Sequence, residues 1–196
     1  MPKMGLLFVV NEPPAAMEEE LNAWYDTDHI PERMAIEGFL SAWRYVSADR
    51  ERRYLALYDL SEARVLHGPG YKAFAEGNFT PWTKRVVSRT KVTRIEAEQI
   101  YPGDAMAVPA PRHFLLRFKN CGTDGASPVV EGAKRCFAGK PGVTQLRVFE
   151  GYGEDKGDYL VIVAGTGDLA SLLEPDAFSS TAGALAVVET YLPYEP

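Results

Sequence analysis

The sequence predicts an α+β protein made of two tandem βαββαβ units that pack sheet to sheet. Three observations support this fold class. Segments of strand length, apolar or alternating, recur in both halves with helical segments between them. A stretch rich in proline, glycine and alanine, residues 102 to 111, separates the halves. Both halves also contain a similar hairpin, in which Tyr159-Leu160 corresponds to Tyr54-Leu55 at an almost constant offset.

The composition is that of a folded globular protein. Of the 196 residues, 46% are apolar and 24% are charged, as in average soluble domains. Twenty-one basic residues against 27 acidic ones give a net charge of -6 with no basic stripe, which argues against a nucleic-acid partner. The apolar run from Gly5 to Val10 is too short for a signal-peptide core or a membrane span. We therefore expect a cytoplasmic protein that does not enter a membrane.

The first elements of the first half are a strand and a helix. Gly5 to Val10 reads as a buried strand, and two prolines then interrupt the chain. From Ala15 to Asp28, apolar side chains recur at helical spacing behind an acidic first turn, which indicates an amphipathic helix. Pro31 cannot lie inside a continuous helix without cost, so we expect a break around His29 and Ile30, followed by a short turn that ends at Gly38.

A hairpin and a second crossover complete the first half. Residues alternate from Phe39 to Ser47, so that Phe39, Trp43 and Tyr45 should share one face and Arg44 should lie on the other. Arg53 to Leu60 is the expected antiparallel partner. A short helical region is predicted over 61 to 75, a loop over 76 to 86, and a final strand from Val92 to Ile100.

The second half repeats this order. We predict a strand over 113 to 119, a helix over 129 to 137, a hairpin over 143 to 152 and 158 to 165, and a closing strand over 184 to 194, with Arg147 near the place of Arg44. A βαββαβ unit is ferredoxin-like and has both helices on one face of its sheet, so the other face must be covered. Units over 1–101 and 112–196, joined by the linker 102–111, would thus form an α+β barrel within one chain.

His29 is the main candidate for chemistry. Its unperturbed pKa near 6.5 suits proton transfer, and it follows aromatic and acidic residues at the end of the predicted helix. Tyr25 lies one turn earlier, and Tyr58 on the partnering strand is a candidate proton donor. Arg44 could hold negative charge on a substrate, although a salt bridge to a helix acid explains it equally simply. A helix C-cap is the corresponding structural interpretation of His29.

Other residues near this junction are candidates for supporting roles. Asp26 and Asp28 could orient the imidazole, or could be solvated acids. Four aromatic residues could wall a substrate pocket, or could belong to the core: Trp24, Trp43, Tyr71 and Trp82. The spacing of acids and histidine matches no established metal site, and Cys121 and Cys136 form neither a zinc motif nor a disulfide framework. No nucleotide, dinucleotide or nucleophile-elbow motif is present, and we expect no cofactor.

The stretch WYDTDHIPERMAIEGFLSAWRY, followed by YLALYDL and TPWTKRV, resembles the EthD-like branch of the dimeric α+β barrel superfamily. The resemblance covers mainly residues 4 to 100. It implies a small enzyme that needs no cofactor, such as a dehydratase, decarboxylase, isomerase or oxygenase, and it maps the family's helix-end histidine onto His29. The second half lacks this histidine and the aromatic pair, so the resemblance implies one site per chain and a degenerate second unit.

The predicted function is a cofactor-independent lyase or isomerase that uses His29 to transfer a proton on a small apolar or aromatic carbonyl compound. A cofactor-free monooxygenase is the nearest enzymatic alternative, since the same base would generate a carbanion for oxygen to attack. A non-catalytic protein that binds a hydrophobic ligand or responds to stress is the alternative from another class, and haem binding is a weaker one. The expected partner is a small-molecule substrate, and the sequence leaves open whether two copies of the chain also form a homodimer.

Overall fold

Eight antiparallel strands close into a barrel in a computed structural model that describes residues 3–75 and 77–196. The strands are β1 Gly5–Glu12, β2 Phe39–Ser47, β3 Tyr54–Leu60, β4 Lys91–Tyr101, β5 Arg112–Phe118, β6 Val143–Gly151, β7 Tyr159–Gly165 and β8 Leu185–Pro193. Around the barrel their order is β1-β3-β2-β8-β5-β7-β6-β4. The predicted fold class is confirmed.

The two halves have the same strand order. The first half runs β4-β1-β3-β2 and the second runs β8-β5-β7-β6, which is the ferredoxin-like arrangement in each case. Two seams join the sheets. At one seam β4 pairs with β6, and at the other β2 pairs with β8 only from Tyr45 to Ser47. Closure leaves no free sheet edge around most of the barrel.

The helix after β1 continues past the predicted break. It consists of α1 Glu18–Trp24, a π-helical turn Tyr25–His29 and α2 Ile30–Met34. The Ile30 N–H bonds to the Tyr25 carbonyl across five residues. Because Pro31 has no N–H, it cannot supply a regular α-helical bond, and the wider turn accommodates it. The prediction of a break around His29 and Ile30 is wrong.

A β-bulge changes the expected alternation in β2. The register with β3 shifts between Phe39 and Ser41, so Phe39 packs on the helical side of the sheet with Tyr58, while Tyr45 lies inside the barrel. The expected correspondence of Arg147 with Arg44 is also wrong. Arg147 pairs with Ile162 on β7 as Trp43 pairs with Leu57 on β3, and a one-residue offset moves a side chain to the other face.

The segment predicted as a loop over 76 to 86 contains the start of a helix. Position 76 lies outside the described residues, and α4 spans Pro81–Arg89 after the short helix α3 Pro69–Lys72. The Thr80 hydroxyl accepts the Thr83 N–H, and Pro81 occupies the first turn, where its missing N–H costs nothing. In the second half α5 Ala126–Phe137 matches the first helix, but 3-10 turns over Pro175–Ala184 replace the second.

The apolar residues form three layers. One fills the barrel, and one lies on the outer face of each sheet beneath the helices of that half. The layer under the first-half helices includes Leu21, Trp24, Tyr25 and Val86, all almost fully buried. Within residues 3–75 and 77–196, no helix has the length and apolar character needed to span a membrane.

Candidate active site

A cavity of about 440 Å³ lies between the helices and the sheet of the first half. Its floor is formed by β1 residues such as Leu7, Val9 and Asn11, and its walls come from the helical segments and β4. The walls include six residues of chemical interest: Trp24, Tyr25, His29, Arg33, Tyr71 and Arg94. A mostly apolar cavity of this size with a few convergent polar groups is typical of a small-molecule site.

The imidazole of His29 lies on the wall of this cavity. Its Nδ1 is buried and has no hydrogen-bond partner within the described residues. Burial lowers the pKa of His29 well below its usual value, and the nearby positive charges of Arg33 and Arg44 lower it further. The ring is therefore neutral near pH 7 and presents an unprotonated nitrogen that can accept a proton.

The π-helical turn positions this imidazole. Hydrogen bonds in such a turn span five residues, so side chains five apart lie above one another. His29 accordingly stacks on Trp24, with ring centroids 4.1 Å apart and planes at 29°. Tyr25 contacts the imidazole edge-on at 5.1 Å. The indole is itself fixed, because its Nε1 donates a hydrogen bond to the Thr83 hydroxyl on α4.

Two tyrosine hydroxyls lie near the histidine. Tyr25 accepts a hydrogen bond of 2.8 Å from the Asn11 side-chain amide. The Tyr58 ring is edge-on to His29 at 6.4 Å, and its buried hydroxyl has no partner within the described residues. Burial raises the pKa of both tyrosines, well above the usual value for Tyr58. Both hydroxyls therefore stay protonated. Tyr25 lines the His29 cavity and can donate to a substrate oxygen there, whereas Tyr58 is not among the lining residues.

Arg33 is the buried cation that the sequence interpretation missed. It lies one turn after His29, is 3% exposed and lines the same cavity. Its Nη2 donates to the Phe74 carbonyl at 3.0 Å, whereas its buried Nη1 makes no hydrogen bond and is 3.7 Å from Glu32. The i, i+4 spacing from His29 was a usable signal, but the expected break at Pro31 removed it.

Arg44 is bound by neighbouring side chains and does not line the His29 cavity. Its Nη1 pairs with Asp26 at 2.9 Å, its Nη2 donates to the Asn22 side chain at 2.6 Å, and its guanidinium stacks over Tyr194 at 4.0 Å. It is not among the residues that line the His29 cavity. This arrangement is the salt bridge to a helix acid that the sequence already suggested.

The two acids beside His29 point elsewhere. Asp26 accepts hydrogen bonds from Arg44 and from the Tyr194 hydroxyl at 3.2 Å. One oxygen of Asp28 is buried without a partner. Across 3–75 and 77–196, no hydrogen bond joins either carboxylate to His29, so an orienting role stays a prediction without a contact to support it. The same residues contain no cluster of three or more potential metal ligands.

The four aromatic candidates occupy three different places. Trp24 and Tyr71 line the His29 cavity, and Arg33 lies over the Tyr71 ring at 5.0 Å. Trp43 lines another cavity, at the seam between β2 and β8. Trp82 packs against the apolar layer below α4 and lines neither cavity. Because these residues lie in different places, the number of aromatic residues in the sequence could not define one pocket.

The sequence interpretation also did not identify the charged residues at the edge of the cavity. His67 Nε2 is 2.7 Å from a Glu96 carboxylate oxygen, and the other oxygen of Glu96 pairs with Arg94. Arg94 in turn lies 5.8 Å from the Tyr71 ring centre. These residues come from β4 and from the 3-10 turn Ala63–His67, so only the folded chain brings them together.

Comparisons with known proteins identify the fold. Neither a protein-family model nor a curated protein matches the chain. Solved structures match over nearly its whole length. An anthrone oxidase-like protein superposes with a TM-score of 0.68 at 12% identity, covering 100% of this chain and 92% of its own. A putative monooxygenase from Lactobacillus acidophilus gives 0.60 at 11%, covering 97% and 93%.

A variant of the chlorite dismutase from Candidatus Nitrospira defluvii gives a TM-score of 0.61 at 8% identity, covering 98% of this chain and 93% of its own. The chain thus shares the fold of these structures, with two ferredoxin-like units that form one α+β barrel. Identities this low show the fold alone. The EthD-like branch, the cytoplasmic location and the division at 102–111 stay predictions, and the homodimer stays an open alternative.

Proposed function

We propose that the protein is an enzyme that removes a proton from a small apolar or aromatic carbonyl compound, with His29 as the base. One observation carries this proposal: a neutral imidazole with an unpartnered Nδ1 belongs to a residue on the wall of a half-open, mainly apolar cavity. A helix cap would place the ring against backbone carbonyls, whereas this ring faces space that a ligand can fill.

The groups around His29 fit an enolate intermediate. A proton on the carbon next to the carbonyl moves to His29, the electron pair of the C–H bond forms a C=C bond, and the π pair of the carbonyl moves onto its oxygen. Arg33 lines the cavity and its Nη1 is buried without a hydrogen bond, so it can stabilise that negative oxygen. We assign the charge to Arg33 rather than Arg44, because Asp26 and Asn22 already occupy the Arg44 guanidinium.

The fate of the enolate decides the reaction class. Return of the proton to a different carbon is an isomerisation, and loss of a leaving group from the neighbouring carbon is a lyase reaction. Both need only proton transfer by residues of the chain. In these two cases the cavity supplies a base, an oxyanion site and exclusion of water.

A cofactor-free monooxygenase is the second candidate. The structures of an anthrone oxidase-like protein and a putative monooxygenase, both with this fold, favour it. The carbanion would transfer electrons to O2 and form a peroxide anion at carbon. Proton return and loss of water would convert the original CH2 group into a carbonyl. One O2 is consumed, and its atoms leave in the new carbonyl and in water.

An exchange experiment tests the proposal directly. Anthrone, 2-tetralone and acetylacetone are incubated with the protein in D2O without oxygen, and loss of the acidic C–H signal is followed by NMR. We expect exchange faster than the buffer rate with at least one probe. The His29→Ala variant should lower that enzymatic rate by about 10²-fold or more. Repeating the reaction in air, with O2 consumption as readout, separates oxygenation from proton transfer alone.

Thr27→Ala is the matched control, since Thr27 belongs to the same π-helical turn but its exposed side chain bonds only the Ala23 carbonyl. It should leave exchange unchanged. If none of the three probes exchanges in a His29-dependent way, the enzyme proposal is overturned. Binding of a probe without exchange would then support the hydrophobic-ligand-binding alternative.

A further inference from the structure

A second cavity, of about 430 Å³, lies at the seam between β2 and β8. It shares no lining residue with the His29 cavity. Its walls are formed by β2 from Ala42 to Tyr45, by His113 at the start of β5, by the segment Pro109–Pro111, and by Pro193 and Tyr194. The mouth of a β-barrel is a common location for a small-molecule site.

This cavity exists because β8 pairs with only part of β2. Their pairing stops at Tyr45 and Pro193, and Pro193 has no N–H with which to extend it. One further bond, from the Tyr194 N–H to the Arg44 carbonyl at 3.0 Å, holds the end of the seam. Beyond it the strands part, and the two prolines of Pro109–Pro111 form a rigid opposite wall. The space is therefore formed by fixed backbone and is preorganised.

Two ring nitrogens in this wall have no hydrogen-bond partner within the described residues. They are the indole Nε1 of Trp43 and Nδ1 of His113, and both atoms are buried. The other nitrogen of His113 lies 3.4 Å from the Tyr45 hydroxyl. Buried polar groups are normally satisfied, and a buried indole N–H can only donate. The His113 ring has a weak contact with the Val108 carbonyl, so the Trp43 N–H is the free donor in a residue that lines the cavity.

The charges around the cavity indicate a neutral ligand. Arg44 is the one cation in the wall, and its pairing with Asp26 cancels its charge. Burial and the positive charge of Arg147 lower the pKa of His113 to about 4, opposed weakly by the Val108 carbonyl, so this ring is neutral at physiological pH. Nothing in the wall would compensate the desolvation of a charged molecule.

We propose that this cavity is a second binding site, which takes a neutral, flat aromatic molecule with a carbonyl or ether oxygen as hydrogen-bond acceptor for Trp43 Nε1. Apolar and proline surfaces would contact the faces of the molecule, and His113 would contact its polar edge. The site is independent of the proton-transfer proposal, because it shares no lining residue with the His29 cavity.

Indole NMR signals test this site and distinguish it from the first. The chain has three tryptophans, and ¹⁵N labelling gives one indole N–H signal for each. The Trp24 signal reports the His29 cavity, the Trp43 signal reports the second cavity, and Trp82 lines neither. The signals are assigned with single Trp→Phe variants. During titration with the neutral ketone 1-tetralone, we expect a saturable downfield shift of the Trp43 signal.

Three variants and a charged analogue test the site further. Trp43→Phe keeps an aromatic wall but removes the donor, and it should weaken 1-tetralone binding at this site about tenfold, as measured by calorimetry. Trp82→Phe is the matched control, since Trp82 Nε1 is also buried and unpartnered but is outside the cavity.

Ala110→Phe should abolish the Trp43 shift, because the larger side chain fills the second cavity. The charged analogue 1-naphthoate should bind at least tenfold more weakly than 1-tetralone.

The proposal is overturned if the Trp43 signal does not move at millimolar 1-tetralone in a folded protein. It is also overturned if Ala110→Phe, with an unchanged amide spectrum elsewhere, leaves the shift intact. A shift confined to Trp24 would mean that 1-tetralone occupies only the first cavity. That result would contradict the second site without affecting the role proposed for His29.

Discussion

The His29 imidazole lies against the Trp24 indole, five residues earlier on the same helix, at a centroid distance of 4.1 Å. A regular α-helix would rotate these two side chains apart, and the π-helical turn brings them together. The indole covers one face of the imidazole and is fixed by its bond to Thr83. Pro31 favours this irregular turn of the helix. The turn therefore sets the orientation of the proposed base, His29.

Two substitutions of Trp24 should distinguish the effect of its stacking on His29 from the effect of its side-chain volume. Trp24→Phe keeps an aromatic surface below His29, and we expect its exchange rate to stay within about threefold of the wild type. Trp24→Leu removes the planar support, and the rate should fall about tenfold because the imidazole loses its fixed orientation. Chemical denaturation must accompany both assays, since truncating a buried tryptophan can cost about 3–5 kcal/mol. Equal rates for both variants at equal stability would exclude a positioning role for Trp24.

The pH profile of exchange should reflect the lowered pKa of His29. The base form exists above the pKa, and burial places that pKa well below 6.5. We therefore expect a rate that is flat between about pH 6 and 8 and falls only in more acidic solution. The measurement is kcat/KM for exchange against pH, with Thr27→Ala as reference. An inflection near pH 6.5 would show that His29 is solvated in the working enzyme and would contradict the burial of its ring.

Arg33 offers a direct test of the oxyanion role. Arg33→Met keeps most of the apolar stem but removes the unpartnered Nη1, and we expect a loss of about 10²-fold in kcat. Arg33→Lys should recover part of the rate, because a positive charge remains without the same geometry. Arg64→Met is the matched control on an exposed arginine. A change in KM alone would mean that Arg33 binds the substrate without stabilising the transition state.

The sequence predicted the architecture because the relevant signals are local and periodic. Alternating segments defined the strands, and the two hairpins are repeated at a nearly constant offset, so the duplicated fold could be inferred without contacts. The errors arose where one residue changes the geometry. A bulge after Phe39 reversed its face, and the segment predicted as a loop over 76 to 86 contains the start of α4, which Thr80 caps.

The candidate site was predictable only in part. His29, Tyr25 and Trp24 are neighbours in sequence, so their pattern could be recognised. Arg33 was missed because the expected break at Pro31 separated it from His29. Glu96 and His67 come from different elements, and no local pattern could have joined them. Trp43 was predicted to wall the same pocket as Trp24, but the two lie on opposite faces of one sheet, which depends on the register of β2.

His113 should make the protein less stable in acid. Its pKa is about 4 in the folded state, against about 6.5 when unfolded, because burial and Arg147 disfavour the charged ring. The unfolded state thus binds more protons as the pH falls below about 6.5, and stability is lost down to about pH 4, by about 3 kcal/mol in total. His113→Phe should show a smaller stability loss over this range. Urea unfolding at pH 7 and pH 4 measures the difference, and an unchanged pH dependence in the variant would refute the assignment.

Arg147 and Asp59 form an ion pair inside the barrel that joins its two halves. Both side chains are 1% exposed and the pair is 2.6 Å long; Asp59 also accepts hydrogen bonds from Ser41 and the Ala107 N–H. Removing one partner leaves a buried charge uncompensated, so Asp59→Asn and Arg147→Met should each cost about 3–5 kcal/mol. The double variant leaves no buried charge and should lose less than the sum of the two. Guanidinium unfolding of the four proteins gives the coupling energy directly. Additive losses would mean that the two charges act independently and that their pairing does not hold the two halves together.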